Sequence, residues 1–380
     1  MIEQYKLKNG SVRYKVDYYL GINEYTGKKD RIRQSSFRSY NEAEIFLARE
    51  KIKYEENGRH VKLAPKKVKF DDVYRLWFKQ YKLTVKEVTY VTLLRSANIH
   101  ILPNFEGIFI NMIDVEKCQD VINDWYSSYT KATMLVSCVN RIFKLAISLN
   151  YCNENPMDKV IRPRNTHKED YKAPFYTKNE LKYFFECIKK TENNKKLVMF
   201  RLLAFAGLRR GELMALKWKD IDEVNNTLKI ERVLAEGING SVFQSPKNNT
   251  SKRTISLDKT TMETLKDWRI TQQRELLKLG YNTNKPEQFV FANDENKHLN
   301  LYYIGTALTR VLKKHDLPHI TTHGFRHTHC SLLFEAGLDM QEVKDRLGHS
   351  NIQTTMNVYA HVTQNRRDEV ADKFEAFLGF

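Results

Sequence analysis

Cysteine is scarce in this chain of 380 residues: there are five, at Cys118, Cys138, Cys152, Cys187 and Cys330. They are odd in number, widely spaced and form no CxxC pair. That excludes a disulfide framework and a thiolate zinc finger, and predicts reduced, packed thiols. Long apolar runs are missing too. No stretch approaches the roughly 18 residues of a membrane span, and the opening MIEQYKLKNG lacks the apolar core of a signal peptide. The expectation is a soluble cytoplasmic protein with no membrane partner. No GxxxxGK[ST] loop is present for nucleotide phosphates, and no DDE-like carboxylate set is evident for a metal-dependent transposase. Acidic residues are the minority charge, 46 against 63 Lys+Arg, for a formal net charge of +17. The excess is shared along the whole chain, as expected of a protein that meets a polyanion, most commonly nucleic acid. With 41% hydrophobic and 29% charged residues the chain can bury substantial cores, and its length suggests two or three domains.

Residues 11–20, SVRYKVDYYL, alternate: Val12, Tyr14, Val16, Tyr18 and Leu20 on one face, Arg13, Lys15, Asp17 and Tyr19 on the other. The alternation resumes at Arg31-Ile32-Arg33-Gln34. A helix is predicted from about Ser39, where Ser39 and Glu42 have capping-box spacing, to Glu56. Arg13, Lys15, Arg31 and Arg33 on the open face are candidate DNA contacts, or equally a solubilising surface. The stretch around Pro65 reads as a linker. Helical periods follow at Phe70–Tyr81, Val85–His100, Asp114–Trp125 and Lys131–Leu149. In the last of these, Leu135, Val139, Ile142, Phe143, Ala146 and Ile147 make one apolar stripe. A second linker contains Pro163 and Pro174, and a capping box at Thr177 and Glu180 opens the third and largest segment. The predicted division is residues 1–64, 65–165 and 166–380.

In the third segment Gly207 breaks an apolar helical run, and Arg209 stands just beyond it, within FAGLRRGEL. A hairpin is expected next, from Thr227–Leu234 through a Gly-rich turn to Val242–Ser245, with Lys247 in the following loop and a strand at Arg253–Leu257. Further on, HGFRH carries His323 and Arg326, LGHS carries His349, and VYAH carries Tyr359. His323 and His327 have the i, i+4 spacing of helical zinc ligands, but no Glu follows His323 as in HExxH, and Gly324 suits a loop entering a helix. We expect neither metal nor cofactor. Ala336–Leu347 and Asn351–Tyr359 also fit two short helices of a helix-turn-helix, so a non-catalytic sequence-specific DNA-binding regulator is the alternative reading.

The ordered set Arg209, Lys247, His323, Arg326, His349 and Tyr359 resembles the tyrosine recombinase (phage integrase) family, in particular integrases of temperate phages and conjugative transposons that carry an N-terminal arm-binding domain. Taken singly, each residue has an ordinary explanation: Arg209 a helix-end cation, His349 a packed turn residue, Tyr359 one of 20 tyrosines. Their joint order is what carries the resemblance. It implies a multidomain, mainly α protein with small sheets: an arm-binding sheet plus helix, a helical core-binding bundle and a mixed α+β catalytic domain. It implies site-specific integration and excision of a mobile element through a 3′-phosphotyrosyl intermediate, without metal or ATP. It implies as partners double-stranded DNA at core and arm sites and a homotetramer on DNA from a free monomer. The need for an excisionase or a host DNA-bending protein stays open. The family often has Leu where Phe325 stands.

The chemistry suits those residue types. A Tyr hydroxyl can attack phosphorus and keep the phosphodiester energy in a covalent ester. The pentacoordinate transition state concentrates negative charge on non-bridging oxygens, which the guanidinium forks of Arg209 and Arg326 match. Lys247 can protonate the leaving 5′ oxygen, with Lys252 the alternative. Tyr359, with an ordinary pKa of about 10, needs a base, and His323 is the candidate, with His349 a donor to the phosphate. The tail beyond Gln364 places Val370, Phe374 and Phe377 at helical spacing, to fold back on its own domain or dock on a neighbouring protomer.

Overall fold

The computed structural model describes residues 1–7, 10–22, 29–56, 67–164, 174–246 and 249–353, with 355, 356, 358 and 375. The chain gathers into two compact units, residues 1–84 with 93–167 and residues 85–92 with 168–380. All five cysteines are free and buried. Among the described residues, no helix is long and apolar enough to cross a membrane.

In the first unit, the alternation predicted for residues 11–20 becomes β2 (Val12–Ile22), the central strand of an antiparallel sheet between β1 (Ile2–Lys6) and β3 (Lys29–Phe37). Its even-numbered face is covered by α1 (Tyr40–Glu56): Ala43 and Val16 are buried, and Phe46 meets Phe37 at 5.1 Å. The helix starts where its cap predicts, the Glu42 N–H donating to Ser39 Oγ at 3.1 Å. The other face carries Arg13, Lys15, Asp17 and Tyr19.

The helical part contains α2 (Phe70–Thr84), the end of α3 (Glu87–Ser96), whose residues 87–92 belong to the second unit, α4 (Leu102–Phe105), α5 (Val115–Ser128) and α6 (Ala132–Ser148). The apolar stripe of α6 is core: Val139, Ile142, Phe143 and Ala146 are fully buried, and Phe143 packs against Phe70. The helix expected through His100 widens at Ala97–Ile101 into a π turn, with the Leu102 N–H reaching back to the Ala97 carbonyl. Pro103 is the cause, because it has no N–H to continue the α-helical ladder.

The second unit opens on α7 (Lys178–Thr191), whose predicted capping box forms: Thr177 N–H donates to Glu180 Oε2 at 2.7 Å and Glu180 N–H to Thr177 Oγ1 at 3.3 Å. Then come α8 (Asn194–Phe205), α9 (Arg210–Met214), β4 (Ile221–Asp222), β5 (Thr227–Ile230), β6 (Val233–Glu236), β7 (Ser241–Gln244) and β8 (Arg253–Ser256). They are followed by α10 (Lys259–Lys278), α11 (Tyr303–His315), α12 (Gly324–Glu335) and α13 (Met340–Leu347). From Val198 to Ala204 α8 is buried all round, the Asp258-paired Arg201 included, because α7, α10 and α12 surround it. Phe325 is fully buried among Phe184, Phe200 and Tyr176 with ring centroids 5.0–6.0 Å away.

Two sequence expectations need correction. Thr227–Leu234 is not one strand of a hairpin: β5 lies between β4 and β8, while among the described residues β6 pairs only with β7. The break falls at Glu231 and Arg232, where the Arg232 guanidinium leaves the strand line to reach the buried Asp220 carboxylate. The helix expected from Ala336 begins instead at Met340. Gly337 has φ +93°, and Asp339 and Glu342 form a reciprocal capping box that starts α13 afresh.

Candidate active site

The site is built on three turns at helix ends. At the first, α8 stops and Gly207 takes φ +62°; a Cβ there would lie 2.7 Å from the His329 ring and 2.8 Å from Leu347. Only glycine allows both the left-handed backbone and the close approach of α12 and α13. Arg209 follows in extended conformation as the N-cap of α9. Glu212, three residues on and 1% exposed, accepts from the Arg209 backbone N–H (3.0 Å) and from Arg209 Nη1 (2.7 Å). Arg253, from β8, grips the same carboxylate with Nη1 at 3.2 Å and Nη2 at 3.0 Å. Burial pushes the Glu212 carboxyl up, but Arg253 and then Arg209 outweigh it, so its pKa lies below the ordinary value.

The second turn starts α12, with His323 as N-cap and Arg326 in the first turn. Arg326 is 1% exposed and donates from Nη1 to the Gly207 carbonyl at 2.8 Å and from Nη2 to the Leu347 carbonyl. One guanidinium thus joins the ends of α8 and α13. Burial, and then Arg209, bring Arg326 down to about 9, which leaves it ionised at neutral pH. The third turn ends α13 at Gly348, φ +66°, whose carbonyl accepts from Arg209 Nη2 at 3.2 Å. His349 follows, its Nδ1 2.9 Å from the Thr355 hydroxyl.

Of the six predicted catalytic residues, four come together: Arg209, His323, Arg326 and His349. Burial first, then His327, Arg326 and Arg209, hold His323 down at about 4; for His349, burial, Arg326 and Arg209 bring it to about 3. Both rings are therefore neutral at pH 7. Solvent reaches the His323 ring, which screens part of that shift. Lys247 and Tyr359 lie outside the described residues, as does the tail stripe of Val370, Phe374 and Phe377. Val358, the chain neighbour of Tyr359, is buried with Cys330, Phe334, Val343 and Leu347. Lys252, the alternative lysine, is exposed, and its charge helps lower the Glu231 carboxyl behind Lys229 and Arg232.

Sequence reasoning missed Glu212, Arg253, Arg346 and His329. Glu212 was legible in principle, standing at capping distance in GLRRGEL. His329 and Arg346 carried no such signal: Arg346 Nε donates to His329 Nε2 at 3.1 Å, and Arg346 Nη2 to the carbonyls of Phe205 (3.2 Å) and Ser256 (3.1 Å). The histidine series is thereby divided. His323 and His327 meet edge to face at 4.7 Å, while His329 turns to Arg346 and His315 Nε2 to Thr191 Oγ1 at 3.1 Å. Among the described residues, no three His, Cys, Asp or Glu side chains gather as a metal site.

On the N-terminal sheet, Arg13, Lys15, Arg31 and Arg33 do share the open face, opposite Tyr5, Glu3, Tyr19 and Asp17 across the strands. Two carboxylates sit among them: Lys15 pairs with Glu3 at 2.8 Å, and Asp17 takes both Arg31 (3.5 Å) and Arg33 (3.3 Å).

Around the three turns, Arg209, Arg326 and Arg253 are balanced by one carboxylate, Glu212, which leaves a net positive centre beside two neutral imidazoles. Arg209 is one-third exposed and uses only part of its donor set on protein atoms. Such a centre can fix a phosphate and exchange a proton beside it.

The phage integrase family model matches residues 174–366, and the phage integrase N-terminal SAM-like domain matches residues 69–126. The ICEBs1 integrase of Bacillus subtilis (strain 168) is 28% identical over 379 residues, 98% of this chain and 99% of that protein. The Tn1549 transposon integrase, solved in complex with transposon right end DNA, is similar in fold with TM-score 0.64 and 20% identity over 80% of this chain and 100% of that one. A lambda integrase tetramer bound to a Holliday junction aligns with TM-score 0.57 and 16% identity, over 93% and 94% of the two chains. With GLRRGEL, HGFRH and LGHS folded onto one net positive centre and the family model spanning them, this chain belongs to the phage integrase family of tyrosine-type site-specific DNA recombinases.

Proposed function

We propose that this recombinase integrates and excises a mobile element, with Tyr359 as nucleophile and Arg209, Lys247, His323, Arg326 and His349 around the scissile phosphate. The observation that supports this reading most is the convergence of Arg209 and Arg326 with two neutral imidazoles over a single buried carboxylate. In the proposed step the Tyr359 oxygen attacks phosphorus and loses its proton to His323. The bond to the 5′ oxygen breaks, and that oxygen takes a proton from Lys247, with Lys252 the alternative donor. A 3′-phosphotyrosyl ester remains, and a second 5′ hydroxyl reverses the step on a new partner strand. Because bond energy is conserved in the ester, no nucleotide is consumed. Both arginines stabilise charge that grows on the non-bridging oxygens, where such donors are worth about 3–4 kcal/mol each in comparable oxyanion sites.

We assign arm-site binding to residues 1–64, core-site binding to residues 65–165 and catalysis to residues 166–380. DNA and a tetramer of this chain are the partners, as in the lambda integrase tetramer on a Holliday junction. The protein would act in the bacterial cytoplasm, on the nucleoid when bound to DNA. The tail from Gln364 docks on a neighbouring protomer in this reading; coordinated strand exchange by a protein lacking residues 364–380 would defeat that part.

The test is a nicked suicide substrate carrying the element's own end sequence, run on SDS gels with wild type and Tyr359→Phe. A covalent adduct from wild type alone is expected. An adduct from both would move the nucleophile elsewhere, and retarded DNA without adduct would remove the catalytic reading.

A further inference from the structure

The Thr355 hydroxyl is fully buried, and among the described residues its hydrogen-bond partner is His349 Nδ1, 2.9 Å away. Two arrangements fit that distance: the hydroxyl donates to an unprotonated Nδ1, or a protonated Nδ1 donates to the hydroxyl oxygen. They differ in what is left over. In the second, the buried O–H finds no acceptor among the described residues, and a buried donor without one costs about 1–3 kcal/mol. In the first, only lone pairs go unused, which proteins tolerate more readily. The first therefore prevails.

We propose that Thr355 is a positioning residue that holds His349 in the Nε2–H tautomer, so that the neutral ring offers a donor rather than a lone pair to the phosphate. The proposal rests on the recombinase reading for the identity of the anion, but the tautomer belongs to the free protein. His349 carries one ring proton at neutral pH, because burial and the neighbouring arginines keep the second off. Which nitrogen bears that proton is set by the group at the other nitrogen. Gly348, fixed by its left-handed turn and by the approach of the Thr250 carbonyl, brings His349 to the site. Thr355 then sets what its ring can do there. A positioning partner of this kind is worth about 10–100-fold in activity where it has been measured for ligand histidines.

The experiment uses full-length protein labelled with 15N-histidine, with His349 assigned by comparison with His349→Gln. Long-range proton–nitrogen correlation should show the Nε2–H pattern in wild type and Thr355→Ser, and a mixture or the Nδ1–H pattern in Thr355→Val. On the nicked substrate, Thr355→Val should form adduct about 10–100-fold more slowly at unchanged DNA retention, and Thr355→Ser within about threefold of wild type. An Nδ1–H tautomer in wild type overturns the proposal, as does full-rate cleavage by Thr355→Val. If Thr355→Val does not fold, the wild-type tautomer and the serine variant still decide. Failure of the wild type to form any adduct would count against the recombinase mechanism instead, with the tautomer read separately.

Discussion

Lowering the pH from 7 to 5 should weaken the second unit by about 2 kcal/mol through His329 alone. This ring is 8% exposed and held down to about 3, first by burial and then by the charge of Arg346, whose Nε donates to it. In the unfolded chain the ring titrates near about 6.5. Below that pH the unfolded state binds a proton that the folded state refuses, so stability is intact above about 6.5 and falls as the pH drops toward the folded value. At pH 5 the gap is about 1.5 pH units, each worth about 1.4 kcal/mol. The size is set by the unfolded value, because a folded pKa anywhere below about 4 leaves the same difference at pH 5. Native-state hydrogen exchange of α8 and α12 amides in the full chain, across urea at both pH values, reads this free energy. His329→Asn keeps an acceptor for Arg346 and does not titrate. Wild type should lose about 2 kcal/mol more than the variant between pH 7 and 5, contributions from His323 and His349 being common to both. Equal losses would refute the assignment of His329 as a buried neutral acceptor.

Other consequences follow from named contacts. Glu212→Ala leaves Arg209 and Arg253 without their shared carboxylate. It should cost about 3–5 kcal/mol in thermal or urea unfolding and abolish adduct formation on the nicked substrate; an unchanged melting point would mean that the arginines find other partners. Phe325→Leu leaves part of a ring-shaped space among Phe184, Phe200 and Tyr176 empty and should lower stability by about 1–2 kcal/mol without changing the adduct rate. Asp17→Asn frees Arg31 and Arg33 for phosphates. Binding to an arm-site duplex should then tighten at low salt, with the slope of log affinity against log salt steeper by about one contact; no change in slope would mean that these arginines do not touch DNA.

The Thr177 and Glu180 box, the Ser39 cap, the α6 stripe and the alternation of β2 all formed where spacing predicts them. Each depends on groups within a turn or two, whose geometry is set by 3.6 or 2 residues per repeat. Arg209, His323, Arg326 and His349, the four that come together, were legible as an ordered set, because HGFRH, LGHS and GLRRGEL carry their chemistry in the residue types themselves. The correction at α13 shows the limit of periodicity: the apolar spacing runs on from Ala336, but Gly337 and the Asp339 box decide the start.

What the sequence by itself determined is therefore the local architecture, the basic character and the residue types of the four groups that meet in the site. Only the tertiary structure decided which charge answers which. Glu212 serves Arg209, its near neighbour, and Arg253, which arrives from β8. Arg326 closes on carbonyls at Gly207 and Leu347, and His329, in the same histidine-rich helix as Arg326, is a neutral acceptor for Arg346. Apart from Glu212 with Arg209, those pairings join segments far apart in the chain, and burial, which makes each of them strong, exists only once the core has closed around them.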